Sequence, residues 1–136
     1  MRWFRKAANQ GNVDAQWSLG LEHENGGTRN YAEAAKWYRK AAEQGHAGAQ
    51  HNLGALYDHG LGVTENAAKA LRWYRKAADQ GSSPSACAIG NMYAKGYGVP
   101  KDCSEAVRWF RKAAEKANAD ALRWLRNAAA KGDTDW

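Results

Sequence analysis

What most constrains this chain is a phrase that returns at a fixed interval. Trp37-Tyr38-Arg39-Lys40-Ala41-Ala42-Glu43-Gln44-Gly45 comes back nearly unchanged from Trp73 to Gly81 and from Trp109 to Ala117, and a truncated copy from Trp3 to Gly11 opens the chain. The leading tryptophans stand 34, 36 and 36 residues apart. A period of that size belongs to chains that stack helix pairs, because one pair cannot bury its own apolar face without a neighbour. The 136 residues therefore divide into about three and a half stacked units around an elongated core.

The spacing predicts a first segment, 1–11, that is only the second half of a unit, then full units at 12–45, 46–81 and 82–117, and a capping helix with a tail at 118–136. Within the first full unit it predicts helices over 14–25 and 31–43. Aligned on the recurring phrase, the first helices read Ala15, Ala49, Ser85, then Leu19, Leu53, Ile89, then Gly20, Gly54, Gly90, then His23, Tyr57, Tyr93. Steps of four mark a buried stripe. A glycine inside a helix costs about 1 kcal/mol, so its return at one register implies that another backbone passes close by. The second helices repeat Ala34, Trp37, Tyr38, Ala41 and their equivalents, small residues beside large rings, as a close helix seam requires. Lys36, Arg39, Lys40 and their counterparts between them read as a solvated face.

The turns read Gly60-Leu61-Gly62-Val63 and Gly96-Tyr97-Gly98-Val99. Gly-x-Gly invites a phosphate-loop reading, but no strand precedes it and no Gly-Lys-Ser/Thr follows. Glycines used for positive φ, with the valine closing over the core, are the expectation instead. Asp102 with Glu105 has the spacing of a capping box, and Asn66 that of an N-cap. After Ala117 the rhythm changes: Ala121 to Lys131 aligns with a first helix through Ala121 and Leu125, or with a second through Trp124 and Gly132.

Net charge is +6 with a pI near 9.4, yet the charges are mixed. Lys36, Arg39, Arg72, Arg75, Arg108 and Arg111 form a ridge that Glu33, Glu43, Asp79, Glu105 and Glu115 dilute, which argues against nucleic acid. The sequence has no run of 18 apolar residues to span a membrane, and the opening residues move straight into repeat sequence, so a cytoplasmic protein is expected unless a leader has been removed. His23, His46, His51 and His59 lack metal-ligand spacing, and nothing calls for a metal or cofactor. Cys87 and Cys103, placed at the starts of antiparallel helices, are expected to be free thiols.

These residues resemble the Sel1-like repeats, a branch of the tetratricopeptide-type helical solenoids. The pattern runs Ala49-x-x-x-Leu53-Gly54-x-x-Tyr57-x-x-Gly60-x-Gly62-Val63, continues with Ala70-x-x-Trp73-Tyr74-x-Lys76-Ala77-Ala78-x-x-Gly81, and recurs from Ile89 to Ala117 and, shortened, from Ala15 to Gly45. Departures are the missing Gly-x-Gly of the first unit, His23 for Tyr, Glu22 where Leu56 and Met92 stand, and Ser85 for Ala. The resemblance implies an all-α, right-handed α/α superhelix whose first helices line a concave face. It implies an adaptor or scaffold for a protein or peptide partner, or an inhibitor or immunity protein for a toxin or enzyme, and no reaction. Some exported relatives, with a disulfide in each hairpin, are linked to penicillin binding or hydrolysis. The present sequence lacks that cysteine pattern, so a β-lactamase type of activity is not carried over.

With Ala15, Leu19 and His23 turned into the hairpin, the opposite face of the first helices carries Trp17, Leu21 and Glu24. Its equivalents are His51, Ala55 and Asp58, then Cys87, Asn91 and Lys95. This is the candidate partner-binding set, with Trp17 as anchor. The competing role for Trp17 is packing on the opening helix beside Trp3 or Phe4. Terminal repeats need polar caps, whereas Trp3, Phe4, Leu122 and Trp124 are apolar, so end-to-end association of copies is a further expectation.

Overall fold

The computed structural model describes residues 2–26, 29–115 and 125–126, with side chains from Arg5 onward. Its regular elements among these are helices α1 (Arg2–Asn9), α2 (Val13–Asn25), α3 (Tyr31–Glu43), α4 (Ala47–His59), α5 (Ala67–Asp79), α6 (Ser83–Lys95) and α7 (Cys103–Ala114). The fold is an all-α repeat of helix-turn-helix units, of the solenoid class. None of the described helices is long and apolar enough to cross a membrane. The chain divides into two compact units, residues 1–73 and 74–136, with the division falling within α5.

Helix ends explain why the chain breaks where it does. After α3, His46 N–H donates to Ala41 O at 3.2 Å and Gly45 N–H to Ala42 O at 3.0 Å, the paired bonds of a Schellman motif. Gly11/Asn12 after α1 and Gly81/Ser82 after α5 repeat the arrangement. The residue that closes one helix then opens the next. Asn12, His46 and Ser82 are the N-caps of α2, α4 and α6, each accepting from the N–H three residues on. Asn30, Asn66 and Asp102 cap α3, α5 and α7 in the same way. The box expected at Asp102 does not close reciprocally. Glu105 turns to Arg108, 2.8 Å away, while Asp102 N–H donates to Tyr93 O.

In the unit of residues 1–73, Ala15, Leu19, Ala49 and Leu53 of the first helices are buried against Ala34, Trp37, Tyr38 and Ala41 of α3. Each fully buried leucine of this kind contributes roughly 1.5–3 kcal/mol. In the unit of residues 74–136, Ser85, Ile89 and Met92 of α6 face Ala106, Trp109, Phe110 and Ala113 of α7. The recurrent glycine has a different cause from the one expected. An aromatic ring, not a backbone, lies over it: a methyl at Gly20 would collide with the Tyr38 ring, and one at Gly90 would sit 3.0 Å from the Phe110 ring. A backbone does approach Gly62, whose φ of +74° already favours glycine and where a Cβ would overlap the Tyr31 carbonyl and the Ala32 nitrogen. That turn therefore seats on the start of α3.

Candidate functional site

On α2, Ala15, Leu19 and Gly20 are buried, and the residues beside them on the outward register, Trp17, Leu21 and Glu24, are half-buried. On α4 the same register places His51, Ala55 and Asp58, all half-buried. Both triads lie within the unit of residues 1–73. The third is different: on α6 Asn91 and Lys95 are exposed, while Cys87 is 8% exposed and offers almost no surface. Cys87 also lies a full turn inside α6 and not at its start. No disulfide joins it to Cys103, the first residue of α7. Trp3, Phe4, Leu122 and Trp124 fall outside the described side chains.

Glu24 is fixed from beneath. The Tyr38 ring is fully buried, and its hydroxyl donates to Glu24 Oε1 at 2.6 Å. Burial pushes the Tyr38 pKa well up, the hydrogen bond and charge of Glu24 add to it, and the Asn52 side chain acts in the opposite sense. Tyr38 thus stays a neutral donor that holds the carboxylate in place. On α4, His51 has its pKa lowered by burial, against the upward pull of the Glu24 charge. Glu24, Tyr38, Asn52 and His51 are gathered here from α2, α3 and α4. The pairing of Glu24 with Tyr38, fourteen residues apart, has no local sequence signal.

Trp17 is braced by a residue that the sequence left without a role. Its ring lies 4.9 Å from the His46 ring at 35°. His46 accepts from Ala49 N–H through Nδ1 at 3.0 Å, and its Nε2 is 3.9 Å from Asp14 Oδ1. Gly48 leaves room for this packing, since a methyl there would reach 3.3 Å from Trp17 Cε2. Trp17 Nε1 is buried without a hydrogen-bond partner. The signal that could have identified His46 was its place at the cap register shared with Asn12 and Ser82.

The basic ridge is more than a solvated face. Lys40 and Lys36 lie 4.8 and 5.6 Å from the centre of the Trp37 ring, and Lys112 lies 4.8 Å from that of Trp109. Arg39 donates to the Tyr57 hydroxyl and Arg75 to that of Tyr93. Cations on ring faces and hydroxyls are less available to phosphate. Among the described residues no group of three or more His, Cys, Asp or Glu could hold a metal ion.

A family model described as Sel1 repeat matches residues 1–12, 13–46, 47–82, 83–118 and 119–133. Among solved structures, a protective antigen present in uropathogenic Escherichia coli strains, displaying an SLR fold, is 40% identical with a TM-score of 0.94 over 97% of this chain. A Sel1 repeat protein from Oxalobacter formigenes is 43% identical with a TM-score of 0.88 over 93% of it. The chain spans 29% and 53% of those two proteins, less than two thirds of either. Cysteine rich protein B of Helicobacter pylori, 24% identical with a TM-score of 0.69, shares the fold over 89% of this chain and 88% of its own. No curated protein matches.

Proposed function

Because the chain belongs to the Sel1 repeat family, we propose that it is a non-catalytic protein-interaction module that seats a segment of a partner polypeptide on the outward face of α2 and α4. The gathering of Glu24 and His51 over the buried Tyr38, on the same register as Trp17, carries this reading. A carboxylate held in place by a buried donor loses little freedom when a ligand arrives. A half-buried tryptophan supplies apolar area beside it, and residues of this type dominate binding energy when a partner excludes water from them.

The test begins with capture of the partner from its source cells and measurement of its affinity for variants of the purified module. Trp17→Ala should weaken binding by roughly thirtyfold or more, the usual mark of an anchor. Arg72→Ala, at an exposed position on α5, should leave it unchanged. Because Trp17 packs on His46, circular dichroism must show that the variant keeps its helices. A folded Trp17→Ala protein that binds as tightly as the parent removes this face from consideration.

A further inference from the structure

The chain carries a net charge of +6, but in the unit of residues 1–73 the charge is divided by helix. The first helices α2 and α4 bear Asp14, Glu22, Glu24 and Asp58 and not one Lys or Arg, whereas α3 between them mixes Lys36, Arg39 and Lys40 with Glu33 and Glu43. On α6, Lys95 takes the register of Glu24 and Asp58, so the acidic character is confined to the first unit.

We propose that the segment seated on the α2–α4 face is a cationic stretch of polypeptide, with a Lys or Arg side chain directed at Glu24. This rests on the interaction-module reading above and specifies the chemistry of its partner. Charge complementarity selects the occupant: two helices that bear carboxylates and no Lys or Arg of their own, on a chain that is positive as a whole, favour a cation locally over phosphate. The chain's net charge works against such a partner at long range, so its preference must come from this face. Tyr38 occupies one carboxylate oxygen of Glu24, and the other keeps its lone pairs for a guanidinium or ammonium. Trp17 lies seven residues earlier on α2, roughly 10 Å along its axis, which about three residues of an extended peptide would span. An arginine three residues from an apolar side chain therefore reaches both. A metal ion is not the cation that fits, since the described residues hold no group of ligands for one.

The experiment uses two capped, fluorescently labelled peptides of equal length, built on Leu and Ala, with Arg at every third position in one and Glu in the other. Anisotropy should show the Arg peptide binding, the Glu peptide binding at least tenfold more weakly, and added salt weakening the Arg complex. The variant Glu24→Gln should weaken the Arg peptide roughly tenfold. The Glu24→Gln change keeps a carbonyl oxygen to accept from Tyr38, and thermal melting of the variant must match the parent within a few degrees. Failure of the Arg peptide to bind, equal or tighter binding of the Glu peptide, or indifference to Glu24→Gln overturns the cationic partner. If in that case Trp17→Ala still weakens the captured partner, the module reading survives alone. If Trp17→Ala has no effect there either, both fall.

Discussion

The guanidinium of Arg39 on α3 donates to the hydroxyl of Tyr57 on α4, eighteen residues further along, and Arg75 on α5 repeats the contact with Tyr93 on α6 at 3.2 Å and the same separation. Each pair ties the second helix of one repeat to the first helix of the next. The Arg side chains are exposed, so each bond is worth about 1 kcal/mol or less. Tyr57→Phe and Arg39→Ala should each cost about that, and the double variant no more than the larger single one. A denaturant double-mutant cycle measures this, and additive losses would show that the two side chains do not act through each other.

The same register in the first repeat holds His23, eighteen residues after Arg5, and His23 Nε2 is buried without a hydrogen-bond partner. His23→Tyr should supply the missing hydroxyl, relieve the orphaned nitrogen and raise stability by roughly 0.5–1 kcal/mol. Adding Arg5→Ala should cancel the gain. A lower melting temperature for His23→Tyr alone would mean that the larger ring does not fit beside α1.

Glycines at one register differ in how closely a ring covers them, and this predicts an order. Gly20→Ala forces its methyl into the buried Tyr38 ring, while Gly90→Ala meets Phe110 at 3.0 Å. Both gain up to about 1 kcal/mol of helix propensity. Overpacking costs about 1–3 kcal/mol, so Gly20→Ala should be clearly destabilising and Gly90→Ala close to neutral. Chemical denaturation of the two variants checks the ranking, which fails if Gly90→Ala proves the worse.

Which features are legible in the sequence follows from how far each signal reaches. Helix bounds, the caps Asn66 and Asp102, and positive-φ glycines at 60, 62, 96 and 98 follow from neighbours within about one turn. The bond from Tyr38 to Glu24 does not. It depends on a rotamer and on the packing of α3 under α2, and sequence spacing assigns those residues to separate faces. The charge pattern likewise assigns Lys36, Lys40 and Lys112 to solvent, while their stems reach back over Trp37 and Trp109. Cys87 shares a register with Trp17 and His51 yet is buried, which shows that alignment among repeats does not fix exposure at each of them.

His51 gives the fold a definite acid response. Burial lowers its pKa beneath the ordinary 6.5, with Glu24 opposing and losing. The unfolded chain therefore takes up a proton at higher pH than the folded one does. Stability from this residue is whole above about pH 6.5 and is withdrawn as pH falls toward the folded value. His51→Gln should lose less stability than the parent between about pH 7 and pH 5. Urea midpoints for the two proteins at both pH values give the comparison, and parallel losses would show that His51 does not contribute to it.

Two repeats have a buried-register glutamine, Gln16 and Gln50, where the third has Ala86. Gln16 Nε2 donates to Ala8 O at 3.1 Å, and Gln50 Nε2 to Ala42 O at 3.1 Å, each reaching eight residues back to a carbonyl of the preceding helix. Both side chains are buried, so each plugs the seam behind a Schellman turn. The equivalent residue on α6 is Ala86, eight after Ala78. A cleft of about 250 Å³ lies there, lined by Ala78, Gly81, Ser82, Ala86, Lys112 and Glu115 among others. A glutamine at this position has room for its amide and an acceptor at the right separation. Ala86→Gln should therefore stabilise the unit of residues 74–136 by about 0.5–1 kcal/mol, the net worth of one neutral hydrogen bond. Gln50→Ala should cost more than that gain, because it leaves a cavity as well as an unmade bond. A crystal structure of Ala86→Gln should place Nε2 within hydrogen-bond distance of Ala78 O. A side chain found in solvent, with an unchanged denaturation midpoint, would mean that the seam at this repeat closes by other contacts and that the glutamine is specific to the first two.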